Sequence, residues 1–546
     1  MATVEVSISD LCSLVGKKIS QKQAEEACAK LGMPLVKAEG GSMVLEVSPN
    51  RPDWLSVEGI ARSLSSFLSA KAGIRPLELA KPAVECRVEK EFLAARPFVG
   101  AAVARKARLT DESVRQMMQL EEKLCETVGR KRRKISMGHY DLSKLEPPFY
   151  YKGAKPGEVS FVPLGMEEKL PLSQIIERHP KGQQYARVLD GLARYPVILD
   201  SEGEALCLIP ITNGESSRVT TKTADVFVEV NGTTRQAVDS CLAILCAQLA
   251  DRGAKMEQVM FSGAFSGLTP SFCPRAMKTS QAAAGKLLGV EMPATDIAKN
   301  LEKMGYGAIA RGESVEAAIP YYRADIMHEC DLIEDAGIAY GFEKFRGRPS
   351  PFVTTGARHP VEAFADRLRG LMVGFGFQDC VTFTLTNERT HYEKMLSKPA
   401  ARVEIGNPLT SDTTMVRTSI LPSLLSVLEA NTREKYPQLL FEAGDVAVID
   451  KDDPNGCRTQ KKLCALIASR EAGLSEIKSV LESALAELGS NYEFEKGQED
   501  FFIPTRSAKV SGEKVRGCYG EIHPQVLENF GIEMPVAAFE IWFEND

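Results

Sequence analysis

Two stretches about 273 residues apart follow one plan, and this repetition limits the architectures open to the chain more than any other feature. In the first copy, Ser20 and Gln23 form a capping box for a helix that ends at Leu31-Gly32. Strand-like runs at 33–38 and 43–47 then meet across the turn Glu39-Gly40-Gly41-Ser42, and SPNRPDWLSVEGIARSL leads into a second helix that Asp53 is placed to cap. In the second copy Thr295 opens a helix closing at Met304-Gly305, Tyr306–Arg311 and Val315–Ile319 flank a glycine turn, and Tyr322-Arg323-Ala324-Asp325 leads to another helix. Arg51-x-Asp53 aligns with Arg323-x-Asp325. Glu58-Gly59-Ile60-Ala61 aligns with Ala336-Gly337-Ile338-Ala339 once about six residues are inserted in the second copy. The common unit reads as a small helical module with a two-stranded wing, used for nucleic-acid binding and for protein packing alike.

The insertion carries most of a dense acidic constellation. Asp331, Glu334 and Asp335 fall at i, i+3 and i+4, so on a helix their carboxylates share one face, and Asp325 arrives at that helix's start. Oxygen ligands gathered in this way suit a hard cation such as magnesium. The same acids also read as first-turn residues on a solvated helix face with Arg323 as their partner. His328 counts only as a neighbour, because magnesium prefers oxygen.

At 546 residues the chain exceeds one domain, and roughly three to five are expected. The 13 cysteines lie singly, without CxxC pairs, which argues against a disulfide framework and structural zinc and for a reducing cytoplasm. No run approaches the roughly 20 apolar residues of a membrane span, and no secretory leader is legible. A net charge of -6 advertises no nucleic acid globally; Arg130-Lys131-Arg132-Arg133-Lys134 is a local candidate that also reads as a solvated loop.

Between the copies, FVGAAVARKARL reads as a strand and Asp111 as the cap of a helix through Val128, within α+β layering around a sheet. Beyond Gly347–Gly356 the expected elements are a helix with Phe364, Leu368 and Met372, a strand at Cys380–Leu385, a helix at Leu421–Leu428, and strands at 438–442, 446–449, 463–468, 515–520 and 536–543. Their spacing favours an antiparallel sheet. The six histidines lie in unrelated contexts, so no catalytic triad follows from spacing, and no GxxxxGK[ST] or GxGxxG is present. Gly138-His139-Tyr140-Asp141 and Asn213-Gly214-Glu215-Ser216-Ser217-Arg218 are polar and turn-rich, placed either to line a cleft or simply to serve as loops.

Across four separated stretches in the right order, the sequence resembles the beta subunit of phenylalanyl-tRNA synthetase in its shorter archaeal and eukaryotic cytosolic form. SPNRPDWLSVEGIAR is similar to that family's N-terminal signature, GRKRRKISMGHYDLSKLEPPFYY and PITNGESSRVT to its editing domain, YRADIMHECDLIEDAGIAYGF to its acid-rich domain, and IGNPLTSDTTMVRTSILPSLL to its C-terminal core. The resemblance implies an α+β multidomain chain. Its parts would be a winged-helix-like module at 1–80, a mixed α/β editing domain at 81–262, a second, magnesium-associated module at 263–347, and an antiparallel-sheet core at 348–546 like a degenerate class II synthetase.

It also implies a cytoplasmic α2β2 heterotetramer with no membrane association, in which the alpha subunit uses ATP to charge tRNA(Phe) while this chain supports it. Leu440-Phe441-Glu442-Ala443-Gly444 lacks the arginine that clamps ATP, and Gly517–Ile522 lacks the terminal arginine of the family fold's third signature, so no catalytic residue of aminoacylation is expected here. The Ile405–Leu428 region is expected to pack on alpha. Asp325, Asp331, Glu334 and Asp335 match the family's cation-binding acids. Hydrolysis of tyrosine wrongly attached to tRNA(Phe) is implied as well, with Ile211, Asn213, Glu215, Ser217, Arg218, Thr220, Thr233 and Thr234 as the candidate lining. The family usually has aspartate where Thr234 stands. The competing reading is a structural or nucleic-acid-binding protein derived from such a subunit, without enzyme activity.

Overall fold

The computed structural model describes residues 2–543 except 273, 274, 348, 350, 351, 353 and 498. The chain divides into two compact units, Met1–Arg348 and Pro349–Asp546. Among the described residues no helix is long and apolar enough to cross a membrane. The architecture is mixed α/β with several sheets.

The repeat is real at the level of topology. In the first copy Ser42–Val47 pairs with both Ala2–Ser7 and Leu35–Glu39, under the helices Ile8–Val15, Gln21–Lys30 and Val57–Phe67. In the second, Ser314–Ile319 pairs with both Arg275–Ser280 and Gly307–Arg311, under Gln281–Leu288, Ala294–Lys303 and Glu329–Tyr340. Each hairpin therefore gains a third strand from the segment that precedes the helices. In the second copy that strand, Arg275–Ser280, was not anticipated, because it lies upstream of the aligned segment.

Local chemistry explains the helix boundaries. Ser20 and Gln23 form the expected capping box, with reciprocal bonds of 3.3 and 2.9 Å. Asp53 does not cap: Ser56 does, accepting from the Gly59 amide at 3.3 Å, while the buried Asp53 accepts two bonds from Arg51 at 2.9 and 2.8 Å. Gly59 permits this close turn, since a Cβ there would lie 1.6 Å from the Asp53 carbonyl oxygen. Likewise Thr110, not Asp111, caps Asp111–Glu126, and Pro293 precedes Ala294–Lys303.

The middle of the first unit is a ten-stranded mixed sheet, one half of which runs Leu79–Val88, Lys255–Gly263, Phe98–Arg105, Val226–Gly232 and, at the edge, Ile135–Asp141. Period-two alternation sorts its two faces. Val226, Val228 and Val230 pack with the helices Asp111–Glu126 and Arg235–Asp251, whereas Phe227 joins an aromatic layer with Phe149, Tyr151 and Phe261. All cysteines among the described residues are free thiols.

The second unit is a seven-stranded sheet covered on both faces, antiparallel except where Gln378–Asp379 runs parallel to Gln438–Ile449. Two expectations fail here. Residues 438–442 and 446–449 are one continuous strand paired throughout with Cys457–Ala468, because the intervening Gly444-Asp445 stays in register instead of turning. Cys380–Leu385 is not a strand; only Gln378–Asp379 and Leu385–Thr386 pair, and the residues between run irregularly with Val381 and Phe383 exposed. The strands Tyr492–Lys496 and Phe502–Gly512 went unread, being half-exposed and largely polar.

One group in the central sheet is out of place by charge. Glu229 is 1% exposed on the aromatic face, where Asn231 donates to its two oxygens at 3.2 and 3.0 Å. Burial pushes its carboxyl up to about 8, with Glu121 adding to the rise, against an ordinary value of 4.5. Between those values the folded chain holds a proton that the unfolded chain has lost, so this group makes stability fall as pH rises from 4.5 through about 8. Glu229→Gln is therefore expected to raise the melting temperature of the first unit at about pH 8 and leave it unchanged at about pH 4; equal melting temperatures at both would show the carboxyl to be ionised in the fold.

Candidate functional site

A cavity of about 540 Å³ opens between the helix Asp111–Glu126, the strand Ile135–Asp141 and the segment around Asn213–Val219. Both turn-rich segments singled out in the sequence reach it: His139 from one, and Asn213, Ser217 and Arg218 from the other. Glu215 props the rim from behind, accepting from the Gly165 amide at 2.9 Å and from Arg218 at 3.2 Å. The remaining candidates point elsewhere. Ile211 is buried in the adjoining core with its carbonyl held by Arg132 at 3.1 Å, and Thr220 accepts within its own turn from the Lys222 amide at 3.2 Å. Thr233 bonds to the Lys134 carbonyl, and Thr234 precedes Arg235–Asp251 without a side-chain cap. Neither lines the cavity.

The opposite wall comes from residues the sequence reading passed over. Met117, Met118, Glu121 and Glu122 project from the helix, joined by Lys181. Glu122 is spent on Lys181 at 2.8 Å and Arg132 at 3.3 Å. That contact also settles Arg132: it is buried, stacked 4.7 Å from the Tyr185 ring centre, and serves as an internal strut within the basic run, while Arg130, Lys131 and Arg133 remain exposed. His139 differs. It is 7% exposed, its Nδ1 lies 3.3 Å from Glu121 Oε2, and its Nε2 has no hydrogen-bond partner.

The four acids of the second module surround a separate cleft of about 390 Å³, which Arg51 and Trp54 of the first module also line. Arg323, itself 3% exposed, already stands among them. It donates to Asp325 at 2.8 and 2.7 Å and lies 2.8 Å from Asp335, which also accepts from the Tyr306 hydroxyl at 2.6 Å. Asp331 Oδ2 accepts the Met327 and His328 amides at 2.7 Å each and so closes the helix start, where His328 is the capping residue. Burial pushes Asp325 up, but the bonds and charge of Arg323, with Arg51 beyond, hold it below the usual carboxylate range. Glu334 is raised, first by burial and then by Asp335, Asp331 and Asp325. Among the described residues no group of three or more acidic, histidine or cysteine side chains is disposed to cage an ion. With Asp325 and Asp335 bonded to Arg323 and Asp331 to the helix-start amides, the donor set does not fit an all-protein cage, and a divalent cation here would keep most of its water.

The second unit holds its own internal ion pairs. Arg417, 1% exposed, donates to Glu442 at 2.6 Å, to Thr382 at 2.6 Å and to the Asp445 carbonyl at 2.9 Å. Lys462 donates to Glu540 at 2.7 Å, and Glu540 also accepts from Ser419 and from the Ile420 and Leu421 amides. These contacts use the charge of both buried cations.

Comparison with known proteins agrees along the whole chain. The family model described as "Phenylalanyl tRNA synthetase beta chain CLM domain" matches residues 348–543, "tRNA synthetase B5 domain" matches 277–342, and "B3/4 domain" matches 130–243. The phenylalanine–tRNA ligase beta subunit of Archaeoglobus fulgidus is 40% identical over 94% of this chain and 93% of its own length. That of Methanothrix thermoacetophila is 37% identical over 99% of each. A crystal structure of an N-terminal fragment of the Pyrococcus horikoshii phenylalanyl-tRNA synthetase beta subunit superposes with a TM-score of 0.60 at 35% identity, covering 62% of this chain and 99% of the fragment. On this agreement, the chain belongs to the family of phenylalanine–tRNA ligase beta subunits.

Proposed function

We propose that this chain, as the beta subunit of a phenylalanine–tRNA ligase, supports charging of tRNA(Phe) by an alpha subunit within an α2β2 assembly and clears tyrosine wrongly attached to that tRNA. The observation that carries the second part is the cavity at His139, Asn213, Ser217 and Arg218, which joins apolar walls to a few convergent polar groups. Its apolar side chains accept an aromatic ring, and Arg218 and Lys181 stand beside it in solvent-exposed pairs with Glu215 and Glu122, weak enough to be exchanged for the phosphates of a tRNA end. Hydrolysis needs only that the ester carbonyl be held where water reaches it; the polarity of the substrate and pocket supplies the rest.

Aminoacylation is assigned to alpha for a charge reason. The sheet of the second unit, read as a degenerate class II core, has its buried Arg417 and Lys462 committed to Glu442 and Glu540, so neither is available to offset a triphosphate. ATP is accordingly the partner's substrate. The apolar side chains Ile420, Leu421, Leu424, Leu425 and Leu428 lie inside the second unit's own core, and the three most exposed large apolar side chains among its described residues, Val381, Phe383 and Leu409 (95%, 88% and 100% exposed), are the apolar surface proposed to meet alpha. The modules at 1–80 and 263–347, winged-helix-like in the sequence reading, frame the domain at 81–262 that holds the cavity.

Co-expression with and without alpha tests this. The paired chains are expected to charge tRNA(Phe) and release tyrosine from tyrosyl-tRNA(Phe), and the beta chain alone to charge none; charging by beta alone, or stable tyrosyl-tRNA(Phe) in the presence of the pair, would overturn the assignment.

We further propose that the acids Asp325, Asp331, Glu334 and Asp335 attract a hydrated magnesium ion at Glu334 and Asp331, where the ion would offset the crowding of like charges. Replacing Asp331 and Glu334 by alanine is expected to abolish magnesium in the purified protein, with helix content monitored by circular dichroism; unchanged metal content in a folded variant refutes the site.

A further inference from the structure

The strut at Arg132 explains only part of the basic run Arg130–Lys134. Its backbone is unusual: Arg130, Lys131 and Arg132 stand at φ of 48°, 56° and 63°, three successive residues in the left-handed region that a Cβ disfavours. The turn closes the helix Asp111–Glu126, since the Arg132, Lys131 and Arg130 amides donate to the Cys125, Glu126 and Thr127 carbonyls at 3.1, 3.2 and 3.0 Å. That closure accounts for the backbone but not for the residues. Glycine or asparagine meets it with less strain, and the chain instead places a long cation at every step. Positive charge near a helix C-terminus is favourable in itself, but a cation on ordinary backbone supplies it as well. Arg132 has its use inside the fold: it donates to the Pro210 and Ile211 carbonyls at 2.9 and 3.1 Å and lies 3.3 Å from Glu122, which lines the cavity. Arg130, Lys131 and Arg133 are exposed, and among the described residues their side chains have no hydrogen-bond or ion-pair partner. Glu126, the exposed acid ahead of the turn, pairs with none of them. A second interior arginine braces the loop. Arg96 is buried, donates to the Arg132 and Arg133 carbonyls at 3.0 and 3.2 Å, has no carboxylate in ion-pair range among the described residues, and is pushed by burial down to about 10.

We infer that this left-handed turn is a preorganised phosphate clamp, in which Arg130, Lys131 and Arg133 hold the backbone of the RNA strand whose aminoacylated end enters the cavity. Three unpaired cations on one short turn suit the repeated charges of a phosphate backbone, and such contacts set affinity and orientation without reading sequence. Two buried arginines fix the turn, one through its side chain and one through the loop carbonyls, so the cations are presented without the ordering cost of a slack loop. The placement follows from Arg132: its contact with Glu122 ties the turn to the cavity wall, so a strand held here lies next to the cavity. Arg130, Lys131 and Arg133 are positioning residues, with no part in cleaving the ester. The strain of the turn then has a function, because relaxing it with glycine removes the side chains that bind.

The identity of the RNA rests on the hydrolytic reading, but the clamp is testable without it. Binding of an uncharged RNA hairpin carrying the acceptor arm of tRNA(Phe) to the full chain, assembled with alpha, is measured by fluorescence anisotropy over a range of salt. Wild type is compared with the triple variant Arg130→Gly, Lys131→Gly, Arg133→Ser and with the charge-conserving pair Arg130→Lys, Lys131→Arg. The triple variant is expected to bind about tenfold or more weakly at low salt, with the slope of log affinity against log salt reduced by about two, and the charge-conserving pair to bind as wild type. Its melting temperature should be equal to or above that of wild type, since glycine relieves the left-handed backbone. In deacylation of tyrosyl-tRNA(Phe) the triple variant should raise KM and leave kcat unchanged. Unchanged affinity and salt slope would overturn the inference, and so would a fall in melting temperature that accounts for the lost binding, or loss of assembly with alpha in place of RNA binding. Loop-dependent binding without any deacylation would uphold the clamp and overturn the hydrolytic function, whereas deacylation with loop-independent binding would do the reverse.

Discussion

The placement of the second module's acids depends on one interior charge, the guanidinium of Arg323. It faces Asp325 with two hydrogen bonds and Asp335 at 2.8 Å, and all three side chains are nearly or wholly buried. Removing one partner from such a group strands a buried charge at a cost of about 3–5 kcal/mol, so the loop before the helix Glu329–Tyr340 has little freedom to rearrange. The first copy repeats the bond with Arg51 and Asp53 and seals it with Trp54, whose ring centre lies 3.5 Å from the Arg51 guanidinium carbon. A loop-to-helix junction pinned by Arg-x-Asp is thus the shared invention of the two modules, and the additional acids of the second are built around it.

The same physical rule separates scaffold from site throughout the chain. In the second unit the buried Arg417 and Lys462 are consumed by Glu442 and Glu540. In the first unit Arg132 is turned inward as a strut, although the run Arg130–Lys134 looks from sequence like a uniform basic surface. His139, whose Nε2 has no hydrogen-bond partner, is among the residues lining the cavity of about 540 Å³.

Much of this was legible beforehand, and the gaps have physical causes. The repeat could be read because capping residues, glycine stops and Arg-x-Asp act locally, and the topology bears it out strand by strand. The helix face shared by Asp331, Glu334 and Asp335 was likewise a matter of spacing, but nothing in spacing says that Arg323 turns inward to satisfy two of the acids at once. Asp53 was read as a cap since aspartate often is one; burial beside Arg51 overrode the propensity. The cavity was half legible. Its turn-rich wall carried a signal in Asn213 and Ser217, whereas Glu121 and Met117 sit on an ordinary amphipathic helix whose partner strand only the three-dimensional sheet order reveals.

Arg323→Met in the full chain, unfolded by heat in metal-free buffer and followed by calorimetry, examines the interior charge directly. The transition of the first unit should lose about 3 kcal/mol or more of stability, because Asp325 and Asp335 would be left buried without their cation. A transition indistinguishable from wild type would mean that the acids do not depend on Arg323, and the charge-compensated junction would have to be abandoned.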